Sequence, residues 1–117
     1  MSLIMKSYNI LLFALMLVTS TNVLASQPTM LDENIKLDAD TDKFYSYLIK
    51  PKGFQCEKLK VSGFMFGHAH GLPTEPQLTT LPNNLCLLEG LYFNMRGQWK
   101  VKLSNGDDVV SDYSFSI

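Results

Sequence analysis

Both histidines of the chain lie in one short stretch, GFMFGHAHGLPTEP, which spans residues 63–76. If this stretch is extended, His68 and His70 point to the same face, because side chains alternate along a strand, and their imidazoles can converge on one ion. In a regular strand Met65 would point to the opposite face. It can join the two histidines only if the chain departs from the regular strand, and Gly67 is a suitable place for that departure. The pattern indicates a small metal site with imidazole and thioether ligands.

A second methionine, Met95, precedes Gly97 where we expect the chain to turn between strands. Thioether and imidazole together suit a soft ion, copper(I) first, because methionine adds little for zinc, calcium or magnesium. We therefore predict a copper(I) site formed by Met65, His68, His70 and Met95. A structural alternative stays open, since methionine commonly fills the core of a β-domain and histidine pairs also occur on solvated strands and loops.

Other chemistry has little support in the sequence. No serine or cysteine is paired with a histidine in a recognisable nucleophile motif, and no glycine loop could cradle a phosphate, so we expect no enzyme. Asp38, Asp40 and Asp42 resemble the start of a calcium loop, but Lys43 stands where that loop needs glycine, and we interpret them as a solvated acidic turn. A net charge of −1 with interspersed charges favours neither nucleic acid nor an anionic membrane as the partner.

The N-terminus has the features of a secretory signal peptide. Lys6 precedes an uncharged run, residues 10–18, that is too short to span a bilayer, and Val23 and Ala25 place small side chains where a signal peptidase cleaves. We expect cleavage after Ala25 and a periplasmic or otherwise exported protein with no transmembrane segment in the mature chain. An uncleaved N-terminal membrane anchor is the alternative.

We divide the chain into a signal peptide (1–25), a flexible polar leader or edge segment (26–42) and one small β-domain (43–117). The two cysteines, Cys56 and Cys86, are an even count in a small exported domain, which predicts a disulfide. A soft metal ligand is the weaker alternative, because neither cysteine lies in a CxxC motif or beside a histidine.

From Phe44 onward, short aromatic or β-branched segments are separated by turn residues, which is typical of an all-β domain. The predicted strands are 44–49, 56–66, 85–94, 98–103 and 109–117. The last two form a hairpin, with Trp99 as a core anchor. The proline-rich residues 71–76 are interpreted mainly as an extended crossover between two sheets. Five or more strands in so short a domain predict a small β-sandwich.

Two segments resemble the YtkA-like and FixH-like family of exported domains. Residues 65–76 are similar to the signature M-P-x-H-x-H-G-L-P-T, and residues 89–99 to the signature G-x-x-F-x-M-x-G-x-W, in the same order and spacing. The resemblance covers residues 59–117. It implies an immunoglobulin-like β-sandwich outside the cytoplasmic membrane, in a group associated with copper handling and with the assembly of copper-containing respiratory enzymes. The residues that the family shares fall on Met65, His68, His70 and Met95.

Some positions depart from the family pattern. Phe66 stands where the first signature has proline, and Arg96 where proline or a small residue is common. The segment 44–63 is short for the extra hairpin expected upstream of the motif, so a truncated sheet is the alternative to a complete sandwich. We expect a copper-binding or copper-delivery protein whose partner is a copper-receiving membrane or periplasmic protein. The alternative is a structural or protein-interaction module without metal.

Overall fold

The computed structural model describes residues 28–68 and 70–117, and the predicted signal peptide lies outside this part of the chain. The described residues form two four-stranded sheets packed around one core, which confirms the predicted small immunoglobulin-like β-sandwich. In chain order the strands are β1 (Thr29–Met30), β2 (Leu37–Asp38), β3 (Phe44–Ile49), β4 (Lys60–Met65), β5 (Gln77–Leu81), β6 (Leu85–Tyr92), β7 (Gln98–Asn105) and β8 (Asp108–Ser116).

The first sheet has the strand order β1-β3-β6-β5, and the second has the order β2-β8-β7-β4. β1 runs parallel to β3 and β2 runs parallel to β8, whereas the other neighbouring strands are antiparallel. Side-chain alternation determines which residues enter the core. In β7, Trp99, Val101 and Leu103 are buried, and Lys100 and Lys102 between them face outward.

The segment predicted as a flexible leader or an edge segment contributes both short edge strands in its described part. β1 lies on the first sheet and β2 on the second, and residues 31–36 connect one sheet to the other. The sandwich therefore begins before residue 43, the boundary suggested by composition. Two-residue strands are defined by backbone pairing with a distant strand, which leaves no periodic pattern in the sequence.

The predicted disulfide between Cys56 and Cys86 is present, with the two Cα atoms 5.8 Å apart. Cys56 begins a 3₁₀ helix, Cys56–Lys58, that takes the place of the hairpin expected before the motif. Cys86 lies on the inward face of β6, and both cysteines are buried. Because the chain passes here from the first sheet to the second, the bond fixes this crossover to a central strand. We call this region, with the start of β6, the disulfide end.

An aromatic cluster fills the core toward the opposite end. The ring of Phe93 lies 5.3 Å from that of Trp99 and 5.2 Å from that of Phe115, and Tyr47 packs against Phe115 at 5.5 Å. Trp99 is 1% exposed, so the predicted core anchor is confirmed. Burial raises the pKa of Tyr47 to about 12, because the ionised phenol would lose its hydration.

Candidate metal centre

The predicted ligands His68 and His70 lie in a loop that begins where β4 ends. After Met65 the chain turns through residues 66–68, and residues 70–71 return to the strand; these residues are here called the histidine loop. Gly67 has a φ angle of 79°, a left-handed conformation that glycine adopts without steric cost, so the chain does leave the regular strand there. The N–H of Met65 donates to the carbonyl of His70 at 3.1 Å, and the N–H of His70 donates to the carbonyl of His68 at 2.7 Å. The loop is therefore closed at its base by its own backbone.

A second hydrogen bond ties the histidine loop to the neighbouring strand, because the N–H of Phe66 donates to the carbonyl of Gln98 at 3.0 Å. Beyond this base, His68 and His70 are both exposed, with ring centroids 6.4 Å apart and planes inclined by 40°. The fold thus holds the backbone of the loop while leaving both imidazoles in contact with solvent.

The distance between the two imidazole centroids can be compared with the distance expected for two rings that bind one ion. A ring nitrogen binds a metal at about 2.0 Å, which places the ring centroid roughly 3 Å from the ion. Two rings on opposite sides of one ion therefore have centroids about 6 Å apart. The observed centroid separation of 6.4 Å is close to this value, which concerns distance alone and not the direction of the ring nitrogens.

Met65 lies below the histidine loop, in the core. Its side chain is 3% exposed, and β4 pairs it with Trp99. The terminal methyl group of Met65 occupies the space over Gly97, where a β-carbon would clash with it. Met65 is thus a packing residue as well as a predicted ligand, and its sulfur must rotate out of the core to reach an ion held by the histidines.

Met95 lies in the connection between β6 and β7 and is half-buried against the core. Its carbonyl accepts a hydrogen bond from the indole N–H of Trp99 at 3.0 Å. Because Met65 pairs with Trp99 and covers Gly97, both methionines lie at the same end of the sandwich as the histidine loop. We call it the histidine end. The structure brings the two imidazoles together and gives each methionine a packing role of its own.

The remaining residues of the motif have structural roles that the sequence alone did not reveal. The side chain of Leu72 covers Gly63, where a β-carbon would lie 2.6 Å from the Cγ of Leu72. The hydroxyl of Thr74 donates to the carbonyl of Gly90 at 2.8 Å. Residues 71–76 carry the chain from β4 in the second sheet to β5 in the first, as the crossover interpretation predicted. These contacts fix the exit of the histidine loop, as the backbone hydrogen bonds fix its base.

The acidic turn contains local polar contacts. Asp40 forms an ion pair with Lys43 at 3.2 Å, and Asp42 accepts a hydrogen bond from the Tyr92 hydroxyl at 3.0 Å. Within residues 28–68 and 70–117, no three His, Cys, Asp or Glu side chains are grouped so that they could hold a metal ion. In the same part of the chain, no helix has the length and apolar character needed to cross a membrane.

Comparison with known proteins adds little to this description. No family model matches the chain, and no curated protein matches it. Among solved structures, the chain is similar to one in the crystal structure of the ZIG-8–RIG-5 IG1–IG1 heterodimer, monoclinic form, with a TM-score of 0.36 and 9% sequence identity. The match covers 83% of this chain and 88% of that chain. A similarity at this level has no functional implication.

Proposed function

We propose that this immunoglobulin-like domain is an exported, non-catalytic protein that binds copper(I) through His68 and His70 and acts in copper handling or delivery. One observation carries the proposal. Met65, Leu72 and Thr74 all have packing or hydrogen-bonding roles in the fold, whereas the two histidines are exposed on a loop whose base is fixed. Exposed residues that a rigid scaffold holds in place are better explained by binding than by stability.

A methionine completes the proposed site, because copper(I) favours soft donors. Met95 is the readier donor, since it is half-buried and lies in a connection between strands, whereas Met65 would have to leave the core. Copper is the cargo in this proposal, and the protein's part is to hold it with neutral donors that solvent and a partner can reach. Such an open site suits transfer to a copper-receiving membrane or periplasmic protein.

The buried disulfide supports the proposed location. Disulfides persist in oxidising compartments such as the periplasm, which is where the predicted signal peptide would send the chain. Retention of the N-terminal segment as a membrane anchor is the alternative, and it would place the same domain at the outer surface of the membrane.

A competition titration against a chromophoric copper(I) chelator tests the proposal. The double variant H68A/H70A is expected to lose tight binding, with a change below about 0.5 kcal/mol in the free energy of unfolding because both side chains are exposed. The matched variants Met95→Leu and Met65→Leu remove one thioether each while keeping an apolar side chain, and Met95→Leu should weaken binding more. If the double variant competes as well as the unmodified protein, the histidines are not the site.

The proposed site should also respond to acid. A histidine must be neutral to ligate a metal, so affinity should fall as the solution is made more acidic. Thioethers do not titrate and should leave a weaker, pH-independent affinity. The same titration, repeated at several pH values, measures both components, and an affinity that is constant with pH would argue against imidazole ligands.

A second candidate function is a protein-interaction module without metal. The observation that favours it is an exposed aromatic pair, Phe64 at the end of β4 and Phe66 in the histidine loop, whose ring centroids lie 5.1 Å apart. The ammonium group of Lys102 lies 5.7 Å from the centre of the Phe64 ring. Loss of copper binding in the histidine variants favours the first candidate, and an unmodified protein that does not compete for copper(I) favours the second.

A further inference from the structure

The outer face of the first sheet is unusually apolar. The side chains that point away from the core on β1, β3, β5 and β6 include Met30, Phe44, Leu48, Leu81, Leu85, Leu87 and Tyr92. Phe44 is 70% exposed and Met30 is 43% exposed. An antiparallel sheet with one solvated face normally alternates apolar residues inside with polar residues outside. The polar residues Ser46, Gln77, Thr79 and Glu89 also point outward, so the apolar residues form rows across the sheet. Apolar rows on an outer face are typical of a surface that another protein covers.

The apolar residues of this face stand in rows across the strands. In the first row Phe44 pairs with Tyr92, and their ring centroids are 4.9 Å apart. Four residues after Phe44 on β3, Leu48 pairs with Leu87 of β6 in the second row. Ser46 on β3 lies between these two rows, at the register shift between Tyr45 and Tyr47. On β6, the corresponding outward residue is Glu89, which pairs with Gln77 of β5. β3 and β6 therefore present the same sequence of side-chain classes: aromatic, polar, leucine.

We propose that a second copy of this chain covers the face, in a homodimer whose two-fold axis runs parallel to the strands between β3 and β6. Such an axis exchanges the positions of β3 and β6. Phe44 then faces Tyr92 of the second copy, Leu48 faces Leu87, and Ser46 faces Glu89. A two-fold interface requires a surface that is complementary to itself, and the matching rows of β3 and β6 meet this requirement.

The charges of the face agree with a second copy as the occupant. Glu89 is the carboxylate between the apolar rows, and the proposed axis sets it opposite the hydroxyl of Ser46 rather than opposite its own equivalent. Lys50, at the end of β3, faces the partner's counterpart of Leu85, so no like charges are brought together there. An acidic or basic partner protein would find little charge to recognise on this face.

The area of the face sets the expected strength of the dimer. The four strands lie about 4.8 Å apart and are two to eight residues long, which makes a face of roughly 15 Å by 20 Å. Two such faces bury at most on the order of 1,000 Å², the lower limit for specific complexes, so we expect a weak dimer. Sheets that pack face to face lie about 10 Å apart, so side chains as large as leucine and phenylalanine can interdigitate.

Sedimentation velocity on the purified protein, produced from the full chain, tests the dimer from about 1 µM to about 1 mM. We expect a concentration-dependent shift from monomer to dimer. The variants Leu48→Lys and Leu87→Lys should each raise the dissociation constant at least tenfold. Val109→Lys is the matched control, because Val109 is an apolar residue that is 51% exposed in the hairpin of the second sheet. A monomer at every concentration would overturn the proposal.

Charge substitutions at Ser46 test the position of the axis and do not depend on removing apolar residues. Ser46→Lys places an ammonium group beside Glu89 of its own chain and opposite Glu89 of the second copy, so it neutralises both carboxylates at the interface and should tighten the dimer several-fold at low salt. Ser46→Glu adds like charge there and should weaken the dimer. Equal effects of the two variants would show that another arrangement, not the proposed one, forms the dimer. The dimer is independent of copper, so its test and the copper titration can fail separately.

Discussion

The two ends of the sandwich are held together by different means. At the disulfide end, the bond from Cys56 to Cys86 fixes the crossover between the sheets to β6 covalently. At the histidine end, side chains fill spaces that glycines leave, as Met65 does over Gly97, and hydrogen bonds fasten the base of the loop. The comparison teaches that the proposed binding site lies away from the covalent bond. The disulfide restricts the unfolded chain at one end, whereas the other end depends on side-chain packing and backbone hydrogen bonds.

The largest expected effect is at the disulfide end. Cys56 and Cys86 are 30 residues apart in sequence, and closing a loop of this length stabilises a folded domain by roughly 3 to 4 kcal/mol. The double variant C56A/C86A should lose about this much in urea unfolding, a large fraction of the stability of a small domain. Its copper(I) affinity, measured under conditions where it stays folded, should not change. An unaltered urea midpoint would contradict the stabilising role.

A smaller effect is expected at the histidine end from Gly97→Ala. Gly97 has a φ angle of 150°, which side-chain-bearing residues rarely adopt, and the added methyl group would displace the end of the Met65 side chain. We expect a loss of about 1 to 3 kcal/mol in the free energy of unfolding. Gly106→Ala is the control, because Gly106 also has a positive φ angle, 63°, but no atom lies within 4 Å of the added carbon.

The difference between these two glycine variants combines the packing of Met65 with the greater backbone cost of a φ angle of 150° compared with 63°. If Gly97→Ala is no more destabilising than Gly106→Ala, the contact between Met65 and Gly97 contributes little. The Met65→Ala substitution, added to Gly97→Ala, should recover part of the loss specific to Gly97, because it removes the group that clashes.

The smallest effect is expected from Glu33, in the connection between β1 and β2. Its carboxylate forms an ion pair with Lys52 and accepts a hydrogen bond from the N–H of Asp112 at 2.9 Å. These contacts, the one with Lys52 first, lower the pKa of Glu33 below its usual 4.5. Glu33→Gln should cost roughly 0.5 kcal/mol at neutral pH, since the charged acceptor becomes a neutral one and solvent screens an exposed ion pair.

The sign of the pH dependence follows from the lowered pKa of Glu33. The stability that the carboxylate contributes is present above pH 4.5, the unfolded value, and is lost as the pH falls through the lower pKa of the folded state. Urea unfolding of the two proteins at pH 7 and at progressively lower pH measures this. The difference between them should shrink with acid, and a gap that stays constant would show that the ionised carboxylate is not responsible.

The long strands could be predicted from the sequence because alternation is a local signal. β3 has the predicted bounds, and β6, β7 and β8 differ from theirs by a few residues at most. The strand predicted from Cys56 is shorter, since its first residues form the 3₁₀ helix. β5 was missed because it is a sheet edge where Leu78 and Leu81 are only half-buried and the period is weak. β1 and β2 exist only through pairing with β3 and β8.

The candidate site could be predicted in part. The position of the histidine loop and the turn at Gly67 follow from residue types that are close in sequence. The burial of Met65 does not, because it depends on a space over Gly97, 32 positions later, that forms only when β4 and β7 pair. Copper binding itself stays a prediction. The sequence shows which residues are of a type that can bind copper. Whether their side chains are exposed depends on how the two sheets pack.

The placement of β2 has a consequence for the order of folding. Leu37 pairs with Phe115, and the backbone of Gly97 exchanges hydrogen bonds with that of Ile117. Contacts between residues so far apart in sequence require a large loop to close before they form, which slows folding to roughly milliseconds or longer in β-sandwiches. The second sheet therefore cannot be completed until β8, at the end of the described residues, is available to pair with β2 and β7. The histidine end closes with it, because the backbone of Gly97 meets that of Ile117 only when β8 is in place.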